Sequence, residues 1–413
     1  QSYRIIDTGQ EQRYSDVGPI DASGKPKTNT INNPAYFGQD ADFKGISPSY
    51  EFINTTEKRE HSLGSLVYDK NTGLTWMHEV ARTEGDGKTI YRFTYSEAKA
   101  FVDKVNQNHY LGANDWRIPD IKELYSLILF TGSSTAVPPV PYLDTGFFEL
   151  LPPNIENNVN AEGENLYRPM DGQFWSSTEY AGRIGNGNLA AFGVNFIDGR
   201  IKAYPTKSQG HGGRMPSHFL RLVRGKHYGA NQFLDNGDGT ITDSATGLMW
   251  TKFDSYTKDL FNCSSSTMDW ITALQVANDL VYANYEDWRL PNAKELQSIV
   301  DYSRALNAND PDRKGPAIDP VFSIPDPSAW YWTGTTHLED RGSRGNFAVV
   351  ICFGPGTAIG PHGEIIDIHG AGAQRSSPKS EVTTRPEWFI SGLGPQHDEV
   401  RTKNYIRCVR EIR

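Results

Sequence analysis

Reactive side chains are scarce in this chain, and their spacing limits what they could do. Its three cysteines, Cys263, Cys352 and Cys408, could form a redox pair, one disulfide with one free thiol, or buried packing groups. Three pairings are open, and sequence does not choose among them. Cys352 and Cys408 fall on runs that read as strands and Cys263 precedes a helical run, so no spacing marks a site. The stretch Asp235-Asn236-Gly237-Asp238-Gly239-Thr240-Ile241-Thr242-Asp243 has the acids of a calcium loop. Glycines, however, fill the third and fifth positions, where an EF-hand needs oxygen ligands, and a tight turn between strands fits better. His362, Glu364, Asp367 and His369 cluster in sequence, but on a strand the first two face away from the last two, which argues against zinc. No Gly-x-Ser-x-Gly, His-Glu-x-x-His or phosphate-loop pattern occurs. The expectation is a protein with no catalytic role, no cofactor and no metal.

Recognition chemistry remains. Trp330, Tyr331 and Trp332 are consecutive, so in an extended run at least one points away from the core. Exposed aromatics grip sugar rings and protein partners. Trp388 stands beside Phe389 in a Gly-, Pro- and Ser-rich stretch, residues 354–404, and is a further candidate contact. The competing reading is that these aromatics pin down a long loop.

The elements that must position these groups are written twice. Asp115-Trp116-Arg117-Ile118-Pro119-Asp120-Ile121-Lys122-Glu123-Leu124 returns as Asp287-Trp288-Arg289-Leu290-Pro291-Asn292-Ala293-Lys294-Glu295-Leu296, with seven of ten positions identical. The separation suits a whole duplicated domain, not a solenoid repeat. Each proline pushes the residue before it out of the helical region. Asp120 and Asn292 are then N-caps, with Glu123 and Glu295 at the capping-box position. Each copy is an extended Trp-Arg segment turning into an amphipathic helix, with Trp116 and Trp288 as core anchors and the Arg117/Glu123 and Arg289/Glu295 sets as structural residues.

Other elements also recur. Leu66–Trp76 and Thr240–Trp250 read as hairpins turning at Asn71-Thr72-Gly73 and Ala245-Thr246-Gly247. Helices are predicted over about 95–107, capped by Thr94 with Glu97, and about 269–283. Long irregular stretches follow, about 131–172 and 302–328, then strand-like runs around 174–179, 191–196, 330–336 and 347–353. Each copy closes on a basic strand, residues 219–224 and 405–410. This is an α+β plan with a mostly antiparallel sheet. The domains are a polar leader, residues 1–60, a first repeat, 61–225, and a second repeat, 231–413, with a long loop insertion at 354–404. The leader is too poor in aliphatics to form its own core and is expected to lie along the body or along another protomer.

Composition narrows the partners. The net charge is −9 with no basic stripe, which argues against nucleic acid. No apolar run reaches the roughly 20 residues of a membrane span. The chain starts at Gln1, which predicts a mature form after removal of a secretory signal.

Taken in order, the Thr-Gly-Leu-x-Trp hairpin, the Asp-Trp-Arg-[Ile/Leu]-Pro…Lys-Glu-Leu helix start, the Trp-[Ser/Thr]-x-Thr turn and the closing Arg-x-Val-Arg strand resemble the Lcl C-terminal domain family, a bacterial domain named from a collagen-like adhesin. The resemblance covers both repeats. The leader segments Ile6-Asp7-Thr8-Gly9-Gln10 and Tyr36-Phe37-Gly38-Gln39-Asp40-Ala41 look like those preceding the domain in secreted members. The resemblance implies two tandem C-type-lectin-like domains, each with two helices, a small sheet and long loops carrying ligand sites. It also implies a secreted, extracellular or cell-surface location, the periplasm included. Glu179, Asp198 and Arg200 are candidate ligand positions of the first copy. The second copy departs there, with Thr336 for Glu179 and Gly354-Pro355-Gly356 for the Asp198-Gly199-Arg200 turn. On the implied fold Cys263–Cys408 is the candidate disulfide, with Cys352–Cys408 the alternative. Two jobs then compete, adhesion to a surface glycan or protein and self-assembly into a fibre or layer through residues 1–60, and the polar leader favours the second. The formylglycine-generating enzymes share that fold, so an oxidase-like enzyme is the remaining alternative.

Overall fold

The computed structural model describes residues 2–16, 18–20, 36–53, 65–85, 88–153, 168–207, 215–338, 345–360, 363–380 and 398–412. The chain divides into two compact units, one of residues 47–179 and 188–228, the other of residues 1–46, 180–187 and 229–413.

The first unit holds the first repeat. Strands β1 (Tyr50–Ile53), β2 (Leu66–Asp69) and β3 (Thr75–Met77) form an antiparallel sheet closed by β9 (Val223–Arg224). The β2–β3 turn forms because the Asp69 carboxylate accepts from the Asn71 amide at 2.9 Å and the Thr72 hydroxyl at 2.8 Å, while Gly73 takes φ 73°. A small hairpin pairs β4 (Thr83–Gly85) with β5 (Lys88–Ile90). Helix α1 (Tyr95–Gln107) starts at the predicted Thr94–Glu97 capping box and buries Tyr95, Ala98 and Val105. Helix α2 (Ile121–Ser126) starts at the Asp120–Glu123 box. It ends before the apolar stripe does, yet Leu127 and Ile128 remain buried. A second antiparallel sheet has the order β6 (Gln173–Glu179), β7 (Ala190–Asn195), β8 (Arg200–Pro205). Trp116 and Trp175 anchor the core between α1 and this sheet.

The second unit repeats the plan. Strands β10 (Phe233–Asp235), β11 (Thr240–Asp243) and β12 (Leu248–Thr251) pair antiparallel and are closed by β18 (Val409–Glu411). Helices α3 (Lys258–Phe261), α4 (Trp270–Asn278) and α5 (Ala293–Ser298) follow. Helix α4 stops short of the predicted 283: it is capped at Asp279, whose N–H bonds the Ala277 and Gln275 carbonyls, and the chain then turns at Ala283 and Asn284, with φ 50° and 63°. Strands β13 (Trp330–His337), β14 (Phe347–Cys352) and β17 (Gln374–Pro378) form its second sheet, with a hairpin of β15 (Thr357–Ile359) and β16 (Ile365–Asp367). The stretch 354–404 is therefore not one loop: β17 pairs with β14 as β8 pairs with β7, so a core strand interrupts it.

Candidate functional site

The repeated motif builds the same polar lock in each unit. The Arg117 guanidinium donates to both oxygens of Glu123, at 2.5 and 2.7 Å, and Arg289 donates to both oxygens of Glu295 at 2.7 Å. Each glutamate also accepts the backbone N–H of its N-cap, Asp120 at 2.9 Å and Asn292 at 2.8 Å. Burial alone would raise Glu295, but the adjoining Arg289 more than offsets it and holds the carboxyl below its usual range. The Trp116 and Trp288 indoles donate to the Tyr110 and Tyr282 carbonyls. These residues set the helix start and the core.

Sequence reading did not single out a second lock. Arg221 and Arg407, one in each closing strand, are fully buried. Arg221 donates to the Met77, His78 and Glu149 carbonyls, Arg407 to those of Thr251, Lys252 and Ser323. Each ties a strand end to its long loop. Burial pushes Arg221 down to about 9.

Several expected ligand residues are placed otherwise. Trp330, Tyr331 and Trp332 are 1%, 0% and 0% exposed, which corrects the expectation that one faces outward. Strand β13 is buried on both faces. Trp330 and Trp332 enter the core with α4, while Tyr331 packs on Phe353 and donates its hydroxyl to Asp254. Asp198 and Arg200 are buried and 3.5 Å apart. Glu179 is exposed and paired with Lys99 at 2.8 Å. Trp388 lies outside the described residues. All three cysteines are free thiols, so the Cys263–Cys408 bridge is not formed. The Cys263 thiol faces the Lys258 and Ser255 carbonyls, whereas Cys352 and Cys408 are fully buried and burial pushes both thiols up. The Asp235–Asp243 stretch is the end of β10, the hairpin turn at residues 236–239 and strand β11, with Asp238 accepting from Thr240. His369 pairs with Asp398 at 2.5 Å and Asp367 accepts from Tyr180 at 2.6 Å, so those two turn to different partners; His362 lies outside the described residues.

The feature that gathers most polar chemistry is the face of the second repeat where β13 meets the start of α5, because the leader is seated there. The Gln10 side chain grips one residue of β13 from both sides: its amide donates to the Thr336 carbonyl at 2.9 Å and its oxygen accepts the Thr336 N–H at 2.7 Å. Asp40 accepts hydroxyl hydrogens from Thr335 and Thr8, each at 2.6 Å. Lys294 donates to the Asp7 carbonyl, and Asn278 to that of Phe37. Lys379 is fully buried over the Trp270 ring and donates to the Tyr14 and Ser15 carbonyls and the Thr336 hydroxyl. Burial pushes Asp40 up to about 7. The only sequence sign of this site was the pair of patterned segments around Gln10 and Asp40.

The first repeat carries the counterpart of this face. Thr178 accepts the Ile121 N–H at 3.0 Å as Thr335 accepts that of Ala293 at 2.9 Å. Ser177 donates its N–H to the Pro119 carbonyl as Gly334 does to Pro291, both at 2.8 Å. Glu179 pairs with Ala191 in register as Thr336 pairs with Ala348. Here Ser177 and Glu179 are exposed, whereas Gly334, Thr335 and Thr336 are buried.

Among the described residues, Asp120, Glu123 and His227 form the group that could hold a metal. Burial, with Glu123 beside it, pushes Asp120 up to about 6. Both Glu123 oxygens are already engaged by Arg117, which makes the group a poor ligand set.

Residues 65–224 and 239–360 match the model of the Lcl C-terminal domain. These matches span more than half of the chain, which therefore belongs to the Lcl C-terminal domain family, in two tandem copies. No curated protein and no solved structure matches the chain. No helix among the described residues is long and apolar enough to cross a membrane.

Proposed function

We propose that this chain is an exported, non-catalytic bacterial surface protein that holds extended polymer segments on C-type-lectin-like domains, and that it works as an adhesin. The observation that carries the reading is the leader itself. The second repeat seats an extended polypeptide through groups that contact its backbone and short polar side chains, and the first repeat has the counterpart face exposed. Export rests on the family resemblance of the leader segments. The non-catalytic part is supported by Cys352 and Cys408, whose thiols are buried and kept protonated, whereas nucleophilic or redox cysteines need accessible thiolates. Self-assembly through the leader is the second reading; the leader seated within its own chain weighs against it.

The test is binding of the intact chain to peptide and glycan arrays, compared with Glu179→Arg, a change at an exposed position. Saturable binding that Glu179→Arg weakens supports the reading. Binding indifferent to that change, or turnover that depends on Cys352 or Cys408, sinks it. Light scattering of the intact chain and of one lacking residues 1–60 separates the second reading, since only leader-linked assembly loses oligomers on truncation.

A further inference from the structure

We infer that the leader is the cognate occupant of a docking face built into both repeats, and that Gly334, Thr336 and Lys379 restrict it to the second repeat, leaving the face of the first repeat clear. The inference rests on the segment-holding reading above and adds which segment is held, where, and by what selectivity.

Each of the three positions differs between the copies in a way that acts directly on the leader. A Cβ on Gly334 would come 3.1 Å from the Asp40 nitrogen and 3.3 Å from the Gly38 oxygen, so a side chain there would press the leader backbone outward by a few tenths of an ångström. Ser177 holds that position in the first repeat. Thr336 gives both backbone groups to Gln10 and its hydroxyl to Lys379. Glu179 would instead set a carboxylate on the side of the Tyr14 and Ser15 carbonyls, oxygens that offer it no proton where the lysine is missing. The Lys379 N–H bonds the Asn346 carbonyl, one rung beyond Pro378 on β14, as the Thr206 N–H bonds Leu189 one rung beyond Pro205 on β7. Thr206 thus stands in the place of Lys379, and its hydroxyl turns to the Leu189 carbonyl at 3.3 Å. It cannot supply the donor that reaches Tyr14 and Ser15. The first repeat keeps the frame, with Thr178 in the place of Thr335, but lacks the close approach, the short neutral side chain and the long donor.

Two reciprocal full-length variants test this. In the donor variant, Gly334→Ser, Thr336→Glu and Lys379→Thr give the second repeat the residues of the first. In the acceptor variant, Ser177→Gly, Glu179→Thr and Thr206→Lys do the reverse. The donor variant is expected to release its leader, with tryptic cleavage after Arg13 at least about ten-fold faster than in the unmodified chain, the change expected from losing a few net hydrogen bonds. Mixed with the acceptor variant it is expected to form a complex by light scattering, and with the unmodified chain none. Thermal melting and circular dichroism check that each variant folds; the single changes Gly334→Ser and Lys379→Met, each expected to speed cleavage by itself, give the same readout if a triple variant does not. A leader that stays as protected as in the unmodified chain in folded variants overturns the inference, as does a donor that binds the unmodified and acceptor chains equally. Either result leaves the array test of binding standing, so the two readings fail separately.

Discussion

Thr335 donates its hydroxyl hydrogen to Asp40 at 2.6 Å across 295 residues of sequence. The same hydroxyl oxygen accepts the Ala293 N–H at the start of α5, so one threonine joins helix start, strand and leader. Asp40→Ala leaves the Thr335 and Thr8 donors buried without their acceptor. Such a loss costs about 1–3 kcal/mol, and the expected result is local release of the leader with the melting of the repeats little changed. Hydrogen exchange of residues 5–16 checks it; unchanged protection would show that Asp40 is not needed for docking.

Docking should depend on pH, and Asp40 sets the sign. Its carboxyl is raised by burial from 3.8 to about 7 in the docked state, so docking takes up a proton between those values. Leader protection is therefore expected to be fully present below about pH 4, to fall as pH rises to about 7, and to level off above it. Lys379, which burial pushes down, slopes the opposite way toward the ordinary lysine range. Asp40→Asn should flatten the acid limb alone. Exchange or proteolysis profiles with the same slope in both chains would contradict this.

The Arg–Glu locks should be strongly destabilising to break from one side. Glu123 and Glu295 are buried, each meeting its arginine with two bonds. Removing one partner of a buried pair costs about 3–5 kcal/mol. Glu295→Ala and Glu123→Ala are each expected to lower the unfolding free energy of their own unit by that order, with partial recovery when Arg289 or Arg117 is replaced by Met as well. Chemical denaturation of single and double variants measures it.

Thiol accessibility gives a fourth check. Cys263 is half-buried, whereas Cys352 and Cys408 are sealed in the core. One thiol is expected to react in the native protein and three in denaturant. Two rapidly reacting native thiols would return the oxidase-like alternative to consideration.

Local features were legible in the sequence because their causes are local. Thr94 with Glu97, and Asp120 with Glu123, announce helix starts within four residues, and the structure places both boxes there. The β2–β3 hairpin follows from Asp69 and Gly73 in the same way. The aromatic run 330–332 was misleading for a non-local reason. Alternation says that neighbours on a strand face opposite ways, but not that both faces of β13 are covered, as happens in buried sheets. The role of β17 was hidden because 21 residues, holding the β15–β16 hairpin, separate it from β14, where four separate β8 from β7. The leader site was least legible, since Tyr14 and Lys379 meet across 365 positions and no pattern in either stretch points to the other.

That last separation has a consequence in time. A chain made from its N-terminus produces Tyr14 long before Lys379, so this part of the leader's seat is missing until the second repeat has been made as far as β17. Contacts of such sequence separation form late. A product that stops before β17 would leave the Tyr14 and Ser15 carbonyls without their Lys379 donor and that part of the leader more open to proteases. The fully seated leader thereby reports that the chain has been made through β17.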